Sequence, residues 1–286
     1  MSLVDEFSKG TNALHKNGIF SLDQVQYSFG SELLSMVVVN SILILDLNSK
    51  LLKINLDFID AVEEIPVQPL APMASTPSTV PMAPMRRLFL DTSGLHLILS
   101  SNGDNYYLNL QSKKIKNLSK FKGISITCIG WGQSNSRSTG TFLFGGSNGN
   151  IYQGSIAYDG SSLDVSIALV YALGDLAIQG IYFSKFFDGR VPRTVVLVCT
   201  SNRLVEFVVN DFTEKIFTPS IDDISSIQEL PGNIDWSVLA ISTVGDNMTP
   251  KKWAWLTEPG IFCGEFAFLS TKAGSSSVLK DSFLLK

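Results

Sequence analysis

Phe142-Leu143-Phe144-Gly145-Gly146-Ser147-Asn148-Gly149-Asn150-Ile151-Tyr152 is a hairpin written in sequence. Three apolar residues run into a turn of Gly, Ser and Asn, and an aliphatic-aromatic pair follows. Gly and Asn accept the positive φ that tight turns between antiparallel strands demand. The glycines do not form a phosphate loop, because no Lys-Ser/Thr pair and no helical period follow them. The same unit recurs along the chain. Leu97 to Tyr107 is one copy, with Ser101-Asn102-Gly103 at its turn. Val196 to Phe207 and Trp253 to Phe262 are further copies, and Ile42 to Leu56 is a looser first one. Successive turns lie about 46, 54 and 57 residues apart, close to the period of one propeller blade. A further strand precedes three of the units, as at Ile126–Trp131 and Ile178–Phe183.

A small sheet with two apolar faces cannot bury both by itself, and radial packing against neighbouring sheets buries them. The expectation is therefore an all-β chain, a β-propeller of about five four-stranded blades. The tail Asp281-Ser282-Phe283-Leu284-Leu285-Lys286 completes no recognisable blade, so the segment reads as the incomplete N-terminal part of a larger propeller. Residues 1–17 read as a flexible polar leader and 18–286 as the propeller. Six prolines between 66 and 85 remove backbone donors and exclude helix and central strand, marking a Pro-rich flexible insertion. Pro69-Leu70-Ala71-Pro72 has the spacing of a polyproline ligand, a pattern too common to carry weight.

The 286 residues hold 22 Lys+Arg and 26 Asp+Glu, a net charge of −4, with 45% hydrophobic residues. This excludes a disordered chain and argues against a nucleic-acid binder driven by bulk charge. No apolar run reaches membrane-spanning length, and the first residues lack the apolar core of a signal peptide, which points to the cytosol. Cys128, Cys199 and Cys263 are widely separated among apolar neighbours and read as reduced core thiols. His15 falls in the leader, and His96, between Leu95 and Leu97, reads as the exposed face of a strand. No spacing suits zinc, and Asp91, Asp104, Asp222 and Asp223 are not paired with a nearby histidine or set in a repeated metal pattern. Asp222-Asp223 reads as a cap of a short helical turn or as solvent-facing. Trp131, Trp236, Trp253 and Trp255 are expected between blades.

Several segments together resemble the N-terminal propeller of the class C vacuolar protein sorting subunit eighteen (Deep orange) family. They are Ile19 to Tyr27, Ile54-Asn55-Leu56-Asp57, Arg86 to Gly94, Asn105-Tyr106-Tyr107-Leu108 with Ser112-Lys113-Lys114, Gly145 to Tyr152, and Ala254 to Phe262, all in the same order. The sequence departs from the family in its Pro-rich insertion and in ending before the helical solenoid and zinc-bearing region, so no zinc or other cofactor is carried over. The resemblance implies a non-enzymatic scaffold of HOPS and CORVET tethering complexes, acting in docking and fusion. It implies other class C sorting and tethering subunits as partners, small GTPases and SNAREs reached indirectly, and peripheral residence on the cytoplasmic face of late endosome and vacuole or lysosome. The alternatives are the propeller of another coat or trafficking subunit and a propeller-based enzyme. The residues themselves offer one candidate contact site. Lys113, Lys114, Lys116, Lys120 and Lys122 form a basic cluster that could meet a partner or anionic lipid, or simply face solvent.

Overall fold

A computed structural model describes residues 8–10, 24–26, 31–47, 50–67, 86–188, 190–210, 217–232, 234–244, 249–267 and 279–285. Ser8–Gly10 (β1) and Gln24–Gln26 (β2) form a separate antiparallel pair. The remaining strands make five four-stranded antiparallel meanders. Blade one is β3 (Ser35–Val39), β4 (Ile42–Asp46), β5 (Lys50–Asn55) and β6 (Phe58–Pro66). Blade two is β7 (Arg86–Leu90), β8 (His96–Ser101), β9 (Asp104–Asn109) and β10 (Lys114–Asn117). Blade three is β11 (Ile126–Trp131), β12 (Ser138–Gly146), β13 (Asn150–Tyr158) and β14 (Leu163–Ala172). Blade four is β15 (Gly180–Asp188), β16 (Val191–Cys199), β17 (Arg203–Asn210) and β18 (Ile224–Glu229). Blade five is β19 (Ser237–Val244), β20 (Thr249–Thr257), β21 (Gly260–Phe266) and β22 (Leu279–Leu285). The first strands of consecutive blades, β3, β7, β11, β15 and β19, lie side by side, which makes the arrangement a β-propeller.

The hairpins form where the small polar residues predict. Ser101 pairs with Asp104, and the loop residues Asn102 and Gly103 have φ of 48° and 87°, the two left-handed positions of a type I′ turn. Gly149, at φ 74°, leaves room for the Gly174 carbonyl, which a side chain there would strike.

Continuous apolar runs follow from burial on both sheet faces. On β12, Phe142 and Phe144 join a core with Ile98, Tyr107 and Phe121 of blade two, while Leu143 joins one with Val196, Val198 and Phe207 of blade four. On β16, Val195 and Leu197 turn instead toward Leu239 and Ile241 of blade five. Between blades one and two, the buried Arg86 guanidinium lies 3.4 Å from the buried Asp46 carboxylate, beside a core of Ile44, Leu51, Leu88 and Leu97.

Several expectations change. The apolar tail is not surplus: Leu279–Leu285 is the outer strand of blade five. His96 is fully buried, because β8 is covered on both faces. Trp253 and Trp255 fill the boundary between blades four and five, and the half-buried Trp131 packs at a tilt against Phe142, but Trp236 is 47% exposed just before β19. Of the thiols only Cys199 is buried; Cys128 and Cys263 are half-buried. Asp223 caps a 3-10 turn, accepting hydrogen bonds from the backbone and side chain of Ser220. His15 and, apart from β1, the leader lie outside the described residues. Pro66 ends β6 and Val67 follows it buried; 68–85 of the Pro-rich segment lie outside the described residues.

Candidate interaction surface

The basic cluster is carried by β10 and the loop after it. Asn109 builds the turn that starts it, its Oδ1 accepting the Gln111 and Ser112 N–H groups, and Lys113 adopts φ 57°. The following loop is pinned from below. Asn105 Nδ2 donates to the carbonyls of Phe121 (2.8 Å) and Ile124 (2.9 Å), and Phe121 is buried against Phe144. A fixed 3-10 turn, Ser119–Phe121, thus presents Lys120 at the edge of the blade.

The five lysines do not share one direction. Lys113 Nζ turns toward blade one and lies 2.6 Å from Glu63 Oε1 on β6, where Lys53 also reaches Glu63. The Lys113 hydrogen bond is the main cause holding the Glu63 carboxyl below the usual carboxylate range. Lys120 Nζ turns the opposite way and donates to the Val165 carbonyl on β14 at 2.5 Å. Lys114 and Lys122 are exposed, and Lys116 is half-buried. Lys116, Asn117, Ser119 and Lys120 form one wall of a cavity of about 220 Å³ between blades two and three, and Leu163, Asp164 and Val165 form the other. Glu63 and Asp164 were not among the residues that the sequence suggested. They lie on outer strands far from the lysines in the chain, and nothing in the local sequence pairs them with the lysines.

The other titratable groups serve the scaffold. Asp91 is buried and accepts hydrogen bonds from the N–H groups of Ser93, Leu95 and His96 and from Ser93 Oγ. Burial alone would raise its pKa, but hydrogen bonds from Ser134, Ser93 and His96 outweigh that and hold it below its ordinary 3.8. His96 Nε2 lies 2.6 Å from the Asn135 carbonyl, which can only accept. The proton therefore sits on Nε2, and Nδ1 accepts from the Tyr107 hydroxyl at 2.7 Å. With both ring nitrogens engaged, His96 ties blade two to the β11–β12 loop. Burial pushes the Tyr107 hydroxyl up to about 12 and the thiols of Cys128 and Cys199 up to about 12 and about 11. Among the described residues, no three His, Cys, Asp or Glu side chains gather where an ion could be held. No helix among them is long and apolar enough to cross a membrane.

The Pep3/Vps18/deep orange beta-propeller domain matches this sequence over residues 18–286. The chain belongs to that family. It is similar to the vacuolar protein sorting-associated protein 18 homolog of Danio rerio, 28% identical over 201 residues that make up 65% of this chain and 21% of the relative. The Drosophila melanogaster homolog of the same name is 27% identical over 232 residues, covering 70% of this chain and 22% of the relative. The chain thus spans about a fifth of the length of these curated relatives. Among solved structures, the β-propeller domain of Vanderwaltozyma polyspora Nup133 superposes with a TM-score of 0.55 at 13% identity, covering 93% of this chain and 78% of that one. At that identity the likeness shows the propeller fold alone.

Proposed function

We propose that this Vps18-family propeller is a non-enzymatic scaffold domain in vacuolar protein sorting, working within a HOPS/CORVET-type tethering complex in vesicle docking and fusion. The observation that carries the reading is the family match across 18–286, joined to curated relatives named for vacuolar protein sorting. The chemistry agrees with a scaffold. His96 and Asp91, the residues nearest to a catalytic pair, are both engaged in fixed hydrogen bonds. Propeller edges and faces offer rigid surfaces to other chains. In this reading the partners are other class C sorting and tethering subunits. Small GTPases and SNAREs are met through those subunits, and the domain sits peripherally on the cytoplasmic face of late endosomes and the vacuole or lysosome. The test is purification of the tagged protein at its natural level, with mass spectrometry of what co-elutes. Recovery of tethering subunits supports the role; their reproducible absence, with the bait intact, overturns it.

A further inference from the structure

Independently of that role, we propose that the groove between the outer strands of blades two and three receives an extended acidic peptide, which adds as a strand along the free edge of β14. Among the described residues β14 pairs only with β13, so its other side is the edge of the blade. The register shows which backbone groups face outward. Val165 pairs with Ile156 and Ile167 with Gly154. The N–H and carbonyl of Ile156 are turned away from β14, bonding Thr139 Oγ1 on β12 at 2.9 and 3.3 Å. Val165, and Ile167 two residues on, therefore direct their N–H and C=O to the open edge. Lys120 marks this edge by bonding the Val165 carbonyl there.

From Val165 to Ala172 the strand reads Val-Ser-Ile-Ala-Leu-Val-Tyr-Ala, with no charge and no proline. Edges of this kind are ordinarily blunted by charge, proline or a cover, or else used for strand addition. Here the guard comes from the neighbouring blade. Lys120 holds a neutral carbonyl, and a carboxylate is a stronger partner for its ammonium. An acidic side chain entering the cavity beside β14 would meet Lys116 and Lys120 on one wall, against a single carboxylate, Asp164, on the other. Displacing Lys120 frees the Val165 carbonyl for the incoming strand. A flat membrane surface fits less well, because Lys113 and Lys120 turn toward opposite neighbours rather than fanning onto one plane.

The experiment is fluorescence anisotropy of the 286-residue chain with a labelled peptide of alternating Val and Glu, about eight residues long, the length of a typical strand. Saturable binding that weakens with added salt is expected. Binding should fall at least about tenfold in K116E/K120E, which removes the basic wall. It should fall comparably in Ile167→Pro, which removes an outward N–H and leaves the β13 ladder intact. Thermal melts confirm that both variants fold. A peptide N-methylated at alternate residues reports on strand addition without altering the protein, and it should bind at least tenfold more weakly. No saturable binding at low salt overturns the proposal. So does equal binding of the N-methylated peptide, which would reduce the effect to charge. So does a surface that takes phosphatidylserine vesicles but not the peptide, which would assign the lysines to lipid.

Discussion

The middle blade and the end blades are built from the same four-stranded unit, yet the outermost first strands are buried differently from a strand inside the middle blade. On β12 successive side chains point into two different cores, and Phe142, Leu143 and Phe144 are all fully buried. On β3 only every second residue is covered. Val37 and Val39 lie against blade two, while Met36 and Val38 remain 63% and 50% exposed. β19 repeats this at the other end: Leu239 and Ile241 pack toward blade four, and Val238 is 49% exposed. No buried cluster of described residues joins blade five to blade one. An apolar strand in a propeller is thus stabilised by its neighbours more than by its own sheet. The contrast belongs to the first strands of the end blades, since on β4 of blade one Ile44 and Leu45 are buried in two different cores, as on β12.

Substitutions measure that difference. The largest effect is expected for Trp255→Ala, which empties the boundary between blades four and five where the buried indole packs against Phe262. A loss of about 3–5 kcal/mol by chemical denaturation is predicted. Arg86→Ala removes the guanidinium beside the buried Asp46 carboxylate between blades one and two. It should cost about 3–5 kcal/mol, with much of the loss recovered when Asp46 is also made apolar. The Asp91 turn at the border of blades two and three should give a pH signature. Its folded-state pKa lies below the ordinary 3.8, so its contribution is full above pH 4 and is lost as pH falls through the lower folded value. Asp91→Ala should remove about 1–3 kcal/mol at neutral pH and flatten that acid limb of the stability profile. The smallest effect is expected at the ends. Val38→Ser and Val238→Ser should each change stability by less than about 0.5 kcal/mol. A loss of several kcal/mol at either position would erase the distinction between middle and end.

The sequence exposes the hairpins and hides the sides of the blades. Asn40-Ser41, Asn102-Gly103 and the Gly145–Gly149 turn mark themselves through residues suited to tight turns, and the strands beside them match the expected runs closely. The outer strands Phe58–Pro66, Leu163–Ala172 and Ile224–Glu229 escape because they mix polar and apolar residues, although Asn55 and Asp159-Gly160 build turns before the first two. His96 misleads because alternation signals exposure only in a strand with one wet face, and β8 has none. The lysines are visible as a run, but their directions depend on Glu63 and Val165, each about 45–50 residues away in the chain and brought close only by blade packing.

The three cysteines test the contrast between middle and end most directly. Cys199 is buried within blade four, and its thiol is raised to about 11; Cys128, raised to about 12, donates toward the Ile178 carbonyl at the border of blades three and four. Cys263 is opposite Ala254 on blade five, in the register of the face turned away from blade four. Time-resolved labelling of the folded chain with a maleimide, read by peptide mass spectrometry, should modify Cys263 at least about a hundredfold faster than Cys199 or Cys128, since reaction needs an accessible thiolate. Equal protection of all three thiols, or labelling of Cys199 as fast as Cys263, would contradict a propeller in which Cys199 is sealed inside blade four while Cys263 lies on the less covered face of blade five.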